Sequence, residues 1–372
     1  FKNPTIAKLL YFFGLIPVYR QRDGLQSVKT NLNIFNTVEE YIDDGHTLVL
    51  FPEAGHQDGH YLGRFFLSYT RLAFNAAKRS NFEKEVFILP CANHYNDYFN
   101  WREELVMSYG TPVSLKPFYQ LYQEQPRQAQ IEVDKIVKAQ VESLMLHIPD
   151  LENYDSIYFI LQTYGRLFAV KNGYKPQKLP EKLASDQKLT KILMDFHQQH
   201  TEKSNELYAL ATHYHTILKE LKISDDVIEK PLDISHLLLQ FSLYILGFPV
   251  FLYGYLHHLI PYNIPRILGR NLEDKLMYPS INIGVSAMAG IPLFYILFFI
   301  ISLFFIHPLL SVVYVFTLPV FGIFAWNYRK RFFVFVKKWR YNQLINSQKN
   351  KTEEVLNLHQ EFYDKMNTLV SL

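Results

Sequence analysis

The chain contains a single cysteine, Cys91, which excludes an internal disulfide and leaves the compartment open. It has little net charge, +3 over 372 residues, too small to argue for nucleic acid as a partner. It shows no internal repeat and no low-complexity tract. Charge of either sign is missing from two long stretches. No Asp, Glu, Lys or Arg occurs from Ile234 to Pro265, nor in the 53 residues from Leu276 to Tyr328. A starting methionine is also missing, as is any charged-then-apolar leader. A chain beginning at Phe1 reads as a fragment whose upstream segment is absent.

The apolar share of 49% beside a charged share of 20% suits a globular protein with a membrane-associated part, and the length leaves room for two domains. The longer uncharged run is more than twice the roughly 20 residues that cross a bilayer. His307-Pro308 at its middle should fold it into a hairpin from about residue 283 to 326. The shorter run supplies one membrane-length helix, but Gly247, Pro249 and Gly254 interrupt it and His257-His258 follow. We therefore expect 237–260 to be a broken or interfacial helix that does not cross. The stretch 329-RKRFFVFVKKWR-340 carries six basic residues and no acid, the signature of a cytoplasmic membrane edge facing anionic lipid. The expected location is a membrane, crossed more than once, with the N-terminal domain on the cytoplasmic side.

Before the membrane region the pattern changes twice. Leu32, Phe35, Val38 and Ile42 recur at helical spacing and stop before Gly45, and a second stripe follows at Phe66, Tyr69, Ala73 and Ala77. Between and after them, 47–51, 86–90 and 105–110 have strand length, the second nearly all apolar and so expected to be buried on both faces. Alternating strands and helices predict an α/β fold, a sheet flanked by helices. From about 127 to 230 the signal is helical, punctuated by Pro149, Pro176 and Pro180. The expected divisions are an α/β domain at 1–125, a helical region at 126–232, a membrane region at 233–328 and a basic helical tail at 329–372.

The stretch 48-LVLFPEAGHQDGH-60 is the most informative. His56, Asp58 and His60 alternate like ligands on one strand face, but Gly55 and Gly59 bracket them, so a loop is favoured over a metal site. Three segments end strands on a polar group or a tight turn: 14-GLIPVYR-20, 51-FPEAG-55 and 88-ILPCANHY-95. A fourth, 93-NHYNDYFNWREELVMSYGTPVSL-115, joins an asparagine-tyrosine pair to an arginine, a strand and a Gly-x-Pro. In order and spacing these four blocks resemble the glycerolipid acyltransferase family, nearest the branch that acylates glycerol 3-phosphate or dihydroxyacetone phosphate. The resemblance covers residues 1–120.

It implies transfer of a fatty acyl group from acyl-CoA or acyl-carrier protein to a hydroxyl of a glycerol phosphate or lysophosphatidate. No cofactor is implied, and membrane lipid is the surrounding partner. By resemblance Arg20 grips the acceptor phosphate, a task for which a guanidinium fork is suited. Glu53 matches the glutamate used around the acceptor, with a turn-capping carboxylate as the alternative. Gly55 allows close backbone approach, Asp58 matches an aspartate of this branch, and Arg102 its arginine, with a salt bridge as alternative. The chain departs from the family at Ala54, where glycine is usual, and at Phe66-Leu67-Ser68, where a lysine-glycine pair is usual. Arg64 or Arg71 is left to take that lysine's place. The family's base is a histidine oriented by an aspartate, from a His-x-x-x-x-Asp block upstream of the arginine segment. His46, His56, His60, His94, His147, His197, His200 and His213 all lack that aspartate. We therefore read the base as absent from the chain and expect it upstream. The alternative is a catalytically inactive lipid-binding membrane protein of the same fold.

Overall fold

A computed structural model describes residues 8, 10–16, 25–53, 55, 57–99, 102–229, 233–268, 270, 275–277 and 284–371, without the side chains of 25–33, 266 and 268. The chain divides into two compact units, Phe1–His94 with Met107–His147, and Tyr95–Val106 with Ile148–Leu372.

In unit 1, α1 (Leu25–Asp43) and α2 (Ser68–Arg79) form as the apolar spacing predicts, and Gly45 beyond α1 takes the left-handed φ of 86°. Tyr69, Ala73 and Ala77 turn inward from α2, whereas Phe66 precedes the helix and is exposed. Strand β1 (Phe87–Ile88) pairs antiparallel with β4 (Val113–Ser114), and β2 (Cys91–Tyr95) pairs with β3 (Leu105–Tyr109). A short helix α3 (Tyr119–Glu124) leads into α4 (Pro126–Leu144), which opens on a proline at its first position. Ala129, Val133, Val137 and Val141 are spaced one turn apart on α4 and all face the core against Phe65, Phe74 and Tyr119. Polar links cross this core, one of them from α2 to α4. The Tyr69 hydroxyl donates to Asp134 at 2.9 Å, and Lys138 pairs with the same carboxylate at 2.8 Å. Burial, with the aspartate beside it, pushes the Tyr69 hydroxyl far above the ordinary tyrosine range.

The α/β expectation needs correction. The chain is mostly helical, 73%, and its strands among the described residues form two two-stranded sheets, without the continuous sheet the resemblance implies. Among the described residues, 47–51 find no ladder partner and form no strand, and Val49 and Phe51 are 75% and 81% exposed. An apolar run becomes a strand only when a neighbour takes its backbone N–H and C=O groups. Nor is 86–90 buried on both faces, since Phe87 and Leu89 point outward while Val86 is buried.

Unit 2 is helical: α5 (Tyr154–Thr163), α6 (Gly165–Lys171), α7 (Leu179–Gln199), α8 (Thr201–Leu221) and the short α9 (Asp225–Glu229). Then come α10 (Ile234–Leu268), a π-helical segment Gly284–Gly290 that runs into α11 (Ile291–Ser302), α12 (Pro308–Ser347) and α13 (Lys349–Ser371). His307 caps α12 by accepting the Leu309 N–H, so the predicted turn forms at His307-Pro308. Among the described residues three helices are long and apolar enough to cross a membrane: Ile234–Pro265, Gly284–Ser302 and Pro308–Ser347. Their outward apolar side chains, such as Leu246, Leu293 and Phe316, are what a lipid surround requires.

Helix α10 is continuous, not broken as expected, with Pro249, Pro261 and Pro265 inside it. It is bent, however. Phe241 meets Phe335 and Trp339 of α12, Tyr253 meets Thr317, and His257 meets Tyr314. The partner numbers then rise again, for Tyr262 meets Trp326 and Arg329. The path along α11 agrees: His257 lies against Phe298, His258 against Tyr295, and Pro261 against Gly290. Helix α10 thus departs from a straight antiparallel path beyond about His257, a bend of the kind prolines impose.

Candidate functional site

The four-block resemblance centres on the loop Glu53–Phe65, and the structure closes that loop. Glu53 and Phe65 form an isolated antiparallel bridge, and Phe66 N–H donates to Pro52 O at 3.0 Å. The Glu53 carboxylate accepts the Gly63 N–H at 3.1 Å, so it fills the turn-capping role weighed from the sequence. A β-carbon at residue 63 would stand 2.3 Å from the Gln57 amide, so a larger residue there has to push that flexible side chain aside. Leu62 N–H donates to His147 Nδ1 at 3.2 Å, which ties the loop to the segment after α4. The His60 ring lies 5.7 Å from that of His94, which is buried on β2.

On this frame Asp58 and Arg64 are exposed, one loop presenting a carboxylate and a guanidinium to solvent. Gly55 has open space around it. Arg71 sits on α2 over the Phe35 ring at 5.8 Å. Arg20, with Ala54 and His56, lies outside the described residues. Arg102 belongs to unit 2, in the left-handed region at φ 57°, in the β2–β3 turn where Asn96 donates to Glu103 at 3.0 Å. Its place is therefore a strained turn position. Among the described residues no three His, Cys, Asp or Glu side chains are grouped to hold a metal ion.

Two polar clusters in unit 2 went unread in the sequence. One lies at the bend of α10. The carbonyls of Tyr253 and Gly254 can only accept, so His257 and His258 each donate through Nδ1, at 2.7 Å in both cases. Each Nε2 then accepts a tyrosine hydroxyl, Tyr314 at 2.8 Å and Tyr295 at 2.7 Å. Two histidines in an uncharged run are themselves a signal, because polar groups at membrane depth need partners.

The other cluster contains a histidine outside the eight compared above, His359, which does precede an aspartate, Asp364, by five positions. Five residues on a helix turn the two side chains well apart. Asp364 instead accepts from Gln360 at 2.9 Å. The aspartate that holds His359 is Asp225 of α9, 3.0 Å from Nδ1. Asp225 also accepts the hydroxyls of Tyr214 at 2.6 Å and Tyr363 at 2.7 Å. The Tyr214 hydroxyl is pushed far above the ordinary range by burial and then by Asp225. The histidine and its carboxylate partner are thus one polar knot joining α8, α9 and α13. No family model, curated protein sequence or solved structure matches this chain.

Proposed function

We propose that the chain is part of a membrane-bound acyltransferase. It moves a fatty acyl group from an acyl-CoA or acyl-carrier-protein thioester to a hydroxyl of a glycerol phosphate or lysophosphatidate, in phospholipid synthesis. The observation that carries this reading is the ordered set of four blocks at 14–20, 51–55, 88–95 and 93–115. The closed loop presenting Asp58 and Arg64, and three helices apolar enough for a membrane, are compatible with it. The reading takes its base from a His-x-x-x-x-Asp block outside these 372 residues. A second reading, an inactive lipid-binding protein, is favoured by one observation: the Glu53 carboxylate already serves the Gly63 N–H.

Acyl transfer by the complete protein, assayed with glycerol 3-phosphate, dihydroxyacetone phosphate and 1-acylglycerol 3-phosphate, separates the two. No transfer to any of them rejects the enzyme. In the active protein Arg20→Ala should raise the acceptor's KM with little change in kcat, because a phosphate contact binds ground and transition states alike. The loss should be about 1.5–3 kcal/mol. An unchanged KM would remove Arg20 from the acceptor site.

The same reading puts unit 1 and the basic stretch 329–340 on the cytoplasmic side, which requires an even number of crossings. The bend of α10 supports that count, since Phe241 and Tyr262 both lie towards the 326–339 end of α12. In a Cys91→Ser background, Arg270→Cys and Lys349→Cys should both be labelled only from the cytoplasmic side. Labelling of position 270 from outside would mean that α10 crosses.

A further inference from the structure

The C-terminal part of α10 and the facing side of α12 line an open cavity of about 100 Å³, bordered among others by His258, Tyr262, Asn263, Gly322, Trp326 and Arg329. His258 offers a ligand no free ring nitrogen, because both are already engaged. Arg329 is different. It is the first charge after the uncharged run, and its guanidinium lies 5.2 Å from the Trp326 ring and 5.9 Å from that of Tyr262. No acid pairs with it among the described residues, whereas the adjacent Lys330 is neutralised by Glu103. A delocalised cation resting on two rings keeps its edge donors available for a planar or tetrahedral oxyanion. Leu256 and Ile260 of α10 and Ile323 and Phe324 of α12 are exposed on other faces of the same two helices, a surface for hydrocarbon.

We infer that this cavity is a binding site for one anionic membrane phospholipid, its head-group phosphate on Arg329 and its acyl chains along the exposed faces of α10 and α12. The volume accepts a phosphate and part of a glycerol but no whole lipid, so the chains must remain outside in the bilayer. The inference stands apart from the acyltransferase reading, because none of the four blocks contributes a residue.

The test uses the full chain carrying Trp101→Phe and Trp339→Phe, so that Trp326 is the sole tryptophan, in phosphatidylcholine vesicles. Brominated phosphatidylglycerol should quench Trp326 at a mole fraction about fivefold lower than brominated phosphatidylcholine does, the preference one arginine at a membrane surface supplies. Arg329→Gln should abolish the preference, and Arg331→Gln should leave it. Equal quenching by the two lipids, or a preference surviving Arg329→Gln, overturns the site. Recovery of fluorescence with excess inorganic phosphate would assign the site to free phosphate and overturn the lipid. If the single-tryptophan protein fails to fold, native mass spectrometry of otherwise wild-type chains replaces it. Phosphatidylglycerol retained by the wild type and lost from Arg329→Gln supports the site, and equal retention overturns it.

Discussion

Replacing Asp225 by alanine should lower the stability of the helical unit by about 3–5 kcal/mol. The carboxylate takes donors from Tyr214, His359 and Tyr363, and alanine leaves of these only the 3.1 Å contact between Tyr214 and His359. Each unpaired buried donor costs about 1–3 kcal/mol, and a shared network loses more than one bond's worth. The knot also joins segments far apart in sequence, with 134 positions between Asp225 and His359, so its loss should free α13. Asp364→Ala is the control, since Asp364 is exposed and its carboxylate accepts only from neighbouring Gln360, and a surface change of this kind stays within about 0.5 kcal/mol. Thermal unfolding in detergent, followed by circular dichroism with limited proteolysis of the C-terminal helix, reads both. An Asp225→Ala protein melting with the wild type would show that the knot contributes nothing to the fold.

The second large effect is expected at Gly254. A β-carbon there would stand 2.0 Å from the Phe321 carbonyl oxygen and 2.6 Å from its carbon. Neither atom belongs to a side chain that can swing away, so α10 and α12 must separate. Gly254→Leu should therefore cost about 3 kcal/mol, the upper end for overpacking. It should also part the bonds of His257 to Tyr314 and His258 to Tyr295 just beyond it. Gly247→Ala makes the comparison, because its β-carbon would meet the Tyr328 ring at 3.2 Å, and a ring edge can shift. Size-exclusion profiles after heating should show Gly254→Leu aggregating well below Gly247→Ala. Equal heat resistance would mean that the close approach at residue 254 is not maintained in the membrane.

What was legible in the sequence is what local periodicity carries. Leu32 to Ile42 and Tyr69 to Ala77 announce α1 and α2 because a helix satisfies its own backbone and needs only one apolar stripe. The uncharged runs announce membrane helices for the same reason, and His307-Pro308 announces the turn between α11 and α12. Strands are harder, since 105–109 and 47–51 read alike yet only the first finds a partner among the described residues. That pairing is decided by distant segments, which a run of apolar residues does not specify.

The candidate residues divide in the same way. Glu53, Asp58 and Arg64 lie within one short stretch, so their sharing of a loop was fixed by chain connectivity, while the role of Glu53 in closing it depended on where Gly63 came to rest. The sequence alone determined the helical segments, the apolar spans and the basic edge at 329–340, because each is a property of neighbours along the chain. Only the tertiary structure decided that α10 bends near His257, that Arg329 faces a cavity while Lys330 does not stay free, and that His359 answers to Asp225 and not to Asp364. Those outcomes rest on contacts between residues tens to hundreds of positions apart, where packing and hydrogen-bond satisfaction choose the partner and spacing along the chain does not.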